Sequence, residues 1–397
     1  MLTTLLERTV DKTLRALNHN LKSTDERYIY AGPLCRAHVM SPRPKRALSS
    51  SIRSISPPAL RRKLTQASEH VVTSTRLPCA TRKDGTGNAN ERLFRVFSWN
   101  VNGIGPLLQK QLVFQSTAVS PLRLFLRRHR WPQILCLQEV KIKSNDTATQ
   151  RALERAANEG NGPEEPTYTA HFSLPRDKYN ATAFGGKIHG VATLVRDNAA
   201  TTIRVTRRPD WDLEGRVLIH ELENQLVIIN GYWVNGTANP YRDPVDGHIT
   251  GTRHDHKLGF HRRMLEETLR LEAVGYHVVL IGDMNIARSE IDGHPKLRTV
   301  PAQHVKNRAD FNAKFFTAAE GMRGVDIFRH LHGQEKKYTY HPRGTPWGES
   351  CDRVDLIVVS RSLVDADLVV ATDILNSPEE RGHSDHVPLY IALAADI

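Results

Sequence analysis

HVVLIGDMNIARSEID, residues 277–292, starts as a buried strand and stops as something else. Its first six residues form a short apolar run rich in β-branched side chains, the pattern of a strand covered on both faces. Asp283 and Asn285 follow at once, two short polar side chains for which a core has no use. A turn explains one such ending, because Gly, Asp and Asn tolerate the backbone angles of turns. A site explains several, so other strand ends decide between the two.

Short apolar runs recur at 95–99 (RVFSW), 134–137 (ILCL), 190–195 (GVATLV), 216–222 (RVLIHEL), 226–233 (LVIINGYW), 278–282, 355–360 (DLIVVS) and 389–393 (LYIAL). Amphipathic stretches at 119–130, 146–158, 259–274, 308–319 and 325–332 read as helices. This mixture predicts one α/β domain over 91–397 with two layers of sheet. No internal repeat is visible.

The strand ends share a chemistry. RVFSW runs into Asn100 and Asn102, and ILCL into Gln138 and Glu139. LVIING runs into Tyr232 and Asn235, VVLIG into Asp283 and Asn285. Asp355 opens its strand, and Ser384, Asp385 and His386 precede the last one. Such repetition points to a site assembled from loops on a rigid sheet. Hard oxygen donors without a thiolate favour Mg²⁺, with Mn²⁺ as a substitute, over zinc. One histidine beside several acids suits hydrolysis of a phosphate ester. A metal neutralises phosphate oxygens, an acid activates water, and an imidazolium stabilises the charge that develops.

Composition is that of an ordinary globular chain, 39% hydrophobic and 25% charged over 397 residues. No apolar run approaches the ~18 residues that span a bilayer, and charges break the opening segment, so no membrane association is expected. Cys35, Cys79, Cys136 and Cys351 are scattered without CxxC pairing. That argues against a disulfide framework or a cysteine zinc site and fits a reducing compartment. His254-Asp255-His256 reads as a solvated loop in preference to a metal site. The net charge of +12 is uneven: residues 1–90 hold 16 Lys+Arg against 6 Asp+Glu, the remainder 39 against 37. The basic balance therefore belongs to the N-terminal segment and does not establish a basic surface on the domain, although a local groove can still bind a polyanion. Residues 1–90, rich in Ser, Pro and Arg, read as a disordered basic tail with a transient helix over 1–17. The runs Pro44-Lys45-Arg46 and Arg61-Arg62-Lys63 suit nuclear import or loose contact with nucleic acid. The plain alternative is a merely soluble tail. A mitochondrial presequence is a rival, weakened by Glu7 and Asp11.

The motifs FSWNVNGI (97–104), LCLQEVKIK (135–143), HGVATLV (189–195), EGRVLIHEL (214–222), IINGYWVNG (228–236), GDMNIARSEID (282–292), VDIFRHL (325–331), RVDLIVVS (353–360) and SDHVP (384–388) occur in this order. They resemble the exonuclease III-type AP endonucleases, within the DNase I-like endonuclease/exonuclease/phosphatase superfamily. EGRV, GYWVN and GDMNIARSEID carry the AP-endonuclease branch. Phosphoinositide phosphatases, sphingomyelinases and deadenylases share the other elements and usually lack IARSEID. The resemblance implies a two-layer β-sandwich flanked by helices, the DNase I-like four-layer fold. It also implies a monomeric, Mg²⁺-dependent DNA phosphodiesterase of base-excision repair. Such an enzyme cuts double-stranded DNA 5′ to an abasic site, leaving a 3′-hydroxyl, and trims blocked 3′ ends.

By the same resemblance, Glu139 is the main metal ligand, with Asn100 and Asp355 nearby and Asp385 in support. Asp283 orients or deprotonates water, Asn285 holds Asp283 and a phosphate oxygen, and both border the metal. His386 contacts the scissile phosphate or the metal, its ring fixed by Asp355. Tyr232 lies against the phosphate and leaving oxygen, and Asn235 binds phosphate. Arg216 is implied as a DNA-backbone contact and Lys141 as a supporting charge. Tyr340, Trp347 and Val354 are the candidates for the abasic-sugar pocket. The chain departs from the family in three places. Asp352 stands where a pocket Trp often precedes the RVD-like Arg, no arginine follows Asn235 in Gly236-Thr237-Ala238, and the loop 341–352 is short. These leave 3′-end trimming more open. The C-terminal zinc finger of longer members has no match before Ile397. Two other readings stand: the same fold acting on RNA, phosphotyrosyl-DNA or a phosphoinositide, and a non-catalytic DNA-binding scaffold.

Overall fold

The computed structural model describes residues 93–109, 119–160, 162, 164–181 and 188–394. The tail expected over 1–90 lies outside them. In chain order the strands are β1 (Leu93–Asn100), β2 (Ile134–Gln138), β3 (Tyr168–Ser173), β4 (Val191–Arg196), β5 (Ile203–Arg207), β6 (Val217–Leu222), β7 (Leu226–Tyr232) and β8 (Pro240–Arg242). There follow β9 (Ile249–Thr252), β10 (His277–Asp283), β11 (Gly293–His294), β12 (Val325–Asp326), β13 (Cys351–Asp352), β14 (Asp355–Val359), β15 (Val369–Ile374) and β16 (Leu389–Ala394). The longer helices are α1 (Pro121–Arg128), α2 (Thr147–Asn158), α3 (Arg253–Ala273), α4 (Gln303–Asn312) and α5 (Ile327–His332).

Two six-stranded sheets form the body, in the orders β15-β16-β1-β2-β4-β3 and β12-β14-β10-β7-β6-β5. Alternation of side chains along each strand gives every central strand two apolar faces. One face meets the other sheet: Val96, Ile134 and Cys136 pack with Ile228, Val279, Ile281 and Ile357. The other face meets helices. Phe97, Leu135 and Leu194 lie with Leu122, Phe125 and Leu153, whereas Val278, Leu280 and Leu356 lie with Phe260, Met264 and Phe311. The result is the four-layer arrangement of helices, sheet, sheet and helices. Polar groups also cross the middle. Gln138 donates to Ser98 Oγ at 3.0 Å and to Asn230 Oδ1 at 2.8 Å, and Asn230 donates to Ala192 O at 2.9 Å and Thr193 Oγ1 at 3.1 Å.

Register explains why strand ends meet. β1 and β2 are parallel, and β16 runs antiparallel to β1. In the second sheet β7 and β10 are parallel, and β14 runs antiparallel to β10. The ends of β1, β2, β7 and β10 therefore lie with the starts of β14 and β16. Asp283 is itself the register partner of both Tyr232 and Asp355.

Several sequence expectations need correction. The helix expected over 259–274 begins at Arg253, where Thr252 and Asp255 form a capping box. His254-Asp255-His256 is thus its first turn and not a loop, with His254 buried against Asn307. The helix expected over 308–319 runs from Gln303 to Asn312 and continues as a π-turn, Ala313–Thr317. Val325 and Asp326, expected to be helical, pair with β14 instead.

Candidate active site

Four loops at this rim hold non-glycine residues in the left-handed region or brace them. Asn102, Glu139, Lys141 and Asn285 have φ of 49°, 50°, 55° and 51°. Such conformations are uncommon outside glycine and persist where surroundings enforce them. Here backbone bonds do so: Gly103 N donates to Glu139 O at 2.7 Å, and Lys141 N to His189 O at 3.1 Å. Gly282 is required on other grounds. A Cβ there would come within 2.1 Å of Gly231 O on the neighbouring strand.

Asn100, from the end of β1, joins the two sheets. Its amide donates to Asp283 Oδ2 at 2.9 Å and to Glu139 Oε1 at 3.2 Å. Its own oxygen accepts from Asn102 N at 3.0 Å. In this arrangement Asn100 ties two acids together and offers them N–H donors, where a metal ligand would offer oxygen. Lys141 Nζ lies 3.0 Å from Glu139 Oε2, and Tyr232 also hydrogen-bonds Glu139. Burial opposes ionisation of Glu139, but Lys141, Tyr232 and Asn100 outweigh it and hold its pKa below the usual value. Tyr232 moves the other way: burial and the neighbouring Glu139 charge push its hydroxyl well above the usual tyrosine range.

Asp283 is 1% exposed. Its Oδ1 accepts from Asn285 N at 2.8 Å, and its Oδ2 from Asn285 Nδ2 at 3.3 Å. Burial first, and then the nearby Asp355, push its pKa up to about 7, against the opposing pull of His386. His386 Nδ1 lies 2.7 Å from Asp355 Oδ2. Burial disfavours the imidazolium, yet Asp355, Asp283 and Asp385 outweigh it and raise its pKa to about 10. His386 is therefore a cation whose Nε2 remains for a ligand.

Ligand atoms of Asp283, Asp355 and His386 all lie within 4.8 Å of one another. Asp355 Oδ1 is buried and has no hydrogen-bond partner. An orphaned carboxylate oxygen among acids is what a hard divalent cation satisfies, so the residues fit such an ion. Within this group the two carboxylates are the better holders, because a protonated imidazole has no free lone pair for a metal.

The remaining expected residues fall into two groups. Asp385 accepts from Asn102 Nδ2 at 3.0 Å, and the Tyr340 ring stands 5.1 Å from the His386 ring, so both border the site. Asn235 is exposed just beyond β7, and Val354 is half-buried beside Asp355, its N–H donating to Thr339 Oγ1 at 3.0 Å. Arg216 does not present itself to DNA. It is 2% exposed, paired with Glu214, and donates to Tyr232 O at 3.0 Å. The position beside a buried glutamate draws the guanidinium inward and corrects its expected role as a backbone contact. Trp347 stacks on His341, ring centroids 3.7 Å apart.

Sequence reasoning missed the supports. Trp99 Nε1 donates to His386 O at 3.0 Å, and Ser384 Oγ donates to Asn100 O at 2.6 Å, which pins the start of β16 to the end of β1. Arg353 pairs with Asp292 at 2.7 Å and Asp326 at 2.6 Å, joined by Arg288 on Asp326 and Arg329 on Asp292, both at 2.7 Å. This buried ion cluster ties the segments that carry IARSEID, VDIFR and RVD, and holds the chain two residues before Asp355. The spacing of Arg and Asp in those motifs was its only signal.

The sequence profile of the Endonuclease/Exonuclease/phosphatase family matches residues 97–386. An exodeoxyribonuclease of Bacillus subtilis (strain 168) is 25% identical over 316 residues, 75% of this chain and 99% of that protein. A DNA-(apurinic or apyrimidinic site) endonuclease 2 of Mus musculus is 29% identical over 236 residues, which is 50% of this chain and 40% of that protein. The solved AP endonuclease of Leishmania major matches with a TM-score of 0.58 at 21% identity, over 80% of this chain and 92% of that one. That last likeness is one of fold.

Proposed function

We propose that the chain, which belongs to the endonuclease/exonuclease/phosphatase family, is a Mg²⁺-dependent DNA phosphodiesterase of base-excision repair that cuts 5′ to abasic sites. The observation that carries this reading is the meeting of Asp283, Asp355 and His386 within 4.8 Å, with Asn100 bridging Asp283 to Glu139. The named relatives, an exodeoxyribonuclease and an abasic-site endonuclease, support DNA as the substrate.

Glu139 and Asp355 would hold the divalent cation, which supplies neutralisation of phosphate oxygens. Asp283, with its pKa near neutrality, takes the proton of the attacking water. Asn285 N–H and Asn100 keep that carboxylate aimed. His386 Nε2–H faces the charge that grows on the phosphoryl oxygen, while Asp355 keeps the ring protonated and fixed. Tyr232 lies beside the leaving oxygen, and Asn235 meets a phosphate. We place the protein in the nucleus as a monomer, with the mitochondrion as the alternative compartment.

A second reading, trimming of blocked 3′ ends, is favoured by the pocket. Asp352 stands where a wall Trp is common, and Trp347 is turned onto His341. Duplexes with one abasic site, with a 3′ block, or with neither, each in Mg²⁺ or EDTA, separate the readings. Mg²⁺-dependent incision 5′ to the abasic site is expected. Cleavage of the 3′-blocked duplex alone would favour the second reading, and cleavage of neither would refute both.

A further inference from the structure

We propose that Lys257 is a positioning residue for this site: its Nζ, projecting from α3, fixes the two loops that carry Asn235 and the Asp283–Asn285 pair. The proposal rests on the reading of those residues as hydrolytic groups.

Lys257 is 2% exposed. Its Nζ donates to Val234 O at 2.8 Å, to Asn285 O at 3.0 Å and to Met284 O at 3.5 Å. Among the described residues it pairs with no carboxylate. A buried ammonium is costly unless its donors are used, and a methionine would pack the same helix face without that cost. All three donors go to backbone carbonyls, and all three carbonyls lie just past the ends of β7 and β10. That is where ladder pairing stops. β10 pairs as far as Asp283, and one further bond follows, Met284 N to Val354 O at 2.9 Å. Asn285 then turns left-handed, with φ 51°. Its carbonyl, out of any ladder, needs a donor, and Lys257 is that donor.

The same lysine closes the neighbouring loop. A Cβ on Gly236 would stand 3.2 Å from Lys257 Cδ, so the chain beyond Val234 runs against the lysine stem. Two other bonds cross between the loops, Trp233 N to Asp283 O at 2.8 Å and Asn285 Nδ2 to Trp233 O at 3.0 Å. Lys257 adds a tie from a third element, α3, made by its N–H donors, since burial pulls its pKa down to about 7.

The test compares K257M with K257R in the full chain. In K257M, amide exchange should quicken in peptides covering 233–238 and 283–288 and stay unchanged elsewhere in the two sheets. Single-turnover cleavage of an abasic duplex should fall by ~10²-fold at saturating DNA, the usual effect of a misplacement of about 1 Å, with duplex Kd within about threefold. K257R keeps N–H donors at this position and should restore most of both. Unchanged exchange in both peptides, or K257M cleavage within about threefold of wild type, would overturn the proposal. If K257M does not fold, K257Q carries the same two readouts. Collapse of both would also overturn it, since the lysine would then hold the whole domain. Exchange needs no activity, so a wild-type protein that cuts no duplex would sink the functional reading alone.

Discussion

Replacing Asp283 by Asn changes one buried oxygen into an NH₂ group and leaves the size alone. Both carboxylate oxygens accept bonds, Oδ1 from Asn285 N at 2.8 Å and Oδ2 from Asn100 Nδ2 at 2.9 Å. An NH₂ in either place faces a donor, so at least one bond is lost, at about 1–3 kcal/mol. Against this, the substitution removes a carboxyl whose folded pKa, about 7, lies well above the unfolded value near 4. Such a group costs the wild type nothing below pH 4. Stability is lost as pH rises from there to about 7, because the unfolded chain gives up its proton first. In EDTA, D283N should therefore melt below wild type near pH 4, gain on it up to pH 7, and hold a constant difference above. The rise amounts to a few kcal/mol. Cleavage should fall by about 10²–10⁴-fold, the scale for removal of a positioned acid or base. The assay pairs single-turnover incision of an abasic duplex in Mg²⁺ with thermal melts across that pH range. If Asp283 were only a turn former, Asn would serve as well. A variant cleaving within about threefold of wild type would refute its role as base, and a melting difference independent of pH would refute its buried charge.

E139Q should raise the Mg²⁺ concentration for half-maximal cleavage, and EDTA should abolish cleavage in the wild type; an unchanged titration would remove Glu139 from the metal site. The Asp355–His386 pair makes the opposite pH prediction. Its imidazole is raised from near 6.5 unfolded to about 10 folded. Its stabilisation is complete below 6.5 and is lost as pH rises through 10, so H386Q should be most destabilised relative to wild type at pH 6 and least near pH 10. A flat difference in melts would count against the ion pair. A chain starting at Glu91 should keep its melt and its metal-dependent cleavage, with a shallower salt dependence if the tail touches phosphates. Loss of soluble folding on that truncation would move the domain boundary.

The eight strands legible in the sequence are β1, β2, β4, β6, β7, β10, β14 and β16, all interior to their sheets. Within these two sheets the four strands that escaped, β3, β5, β12 and β15, are the four edges, and the short strands β8, β9, β11 and β13 of the two small sheets escaped as well. The cause is physical. An interior strand is covered on both faces and reads as an apolar run, as in β2, every residue of which is buried. An edge strand such as β5 is half exposed, and Ile203-Arg204-Val205-Thr206-Arg207 carries no such run. The site was legible because acids and amides at the ends of buried strands are conspicuous. Its supports were not. Lys257 and Arg353 are buried, and a charged residue in sequence gives no sign that its head group is turned inward. Arg216 misled for the same reason.

The amide bridge between Gln138 and Asn230 bears on how this domain can change over time. Asn100 and Asp283 are the last residues of β1 and β10, one in each sheet, so the spacing between them is the spacing between two sheets. Sliding one sheet on the other by a residue would strand the Gln138 and Asn230 amides in an apolar layer. The hydrolytic geometry is thereby inherited from the sandwich and is closed to gradual adjustment. What stays open to variation is the outer ring: the β8–β9 hairpin, the segment from Gly293 to Pro301 and the short loop after His341. New substrates would be acquired there, by exchange of a rim around a fixed centre.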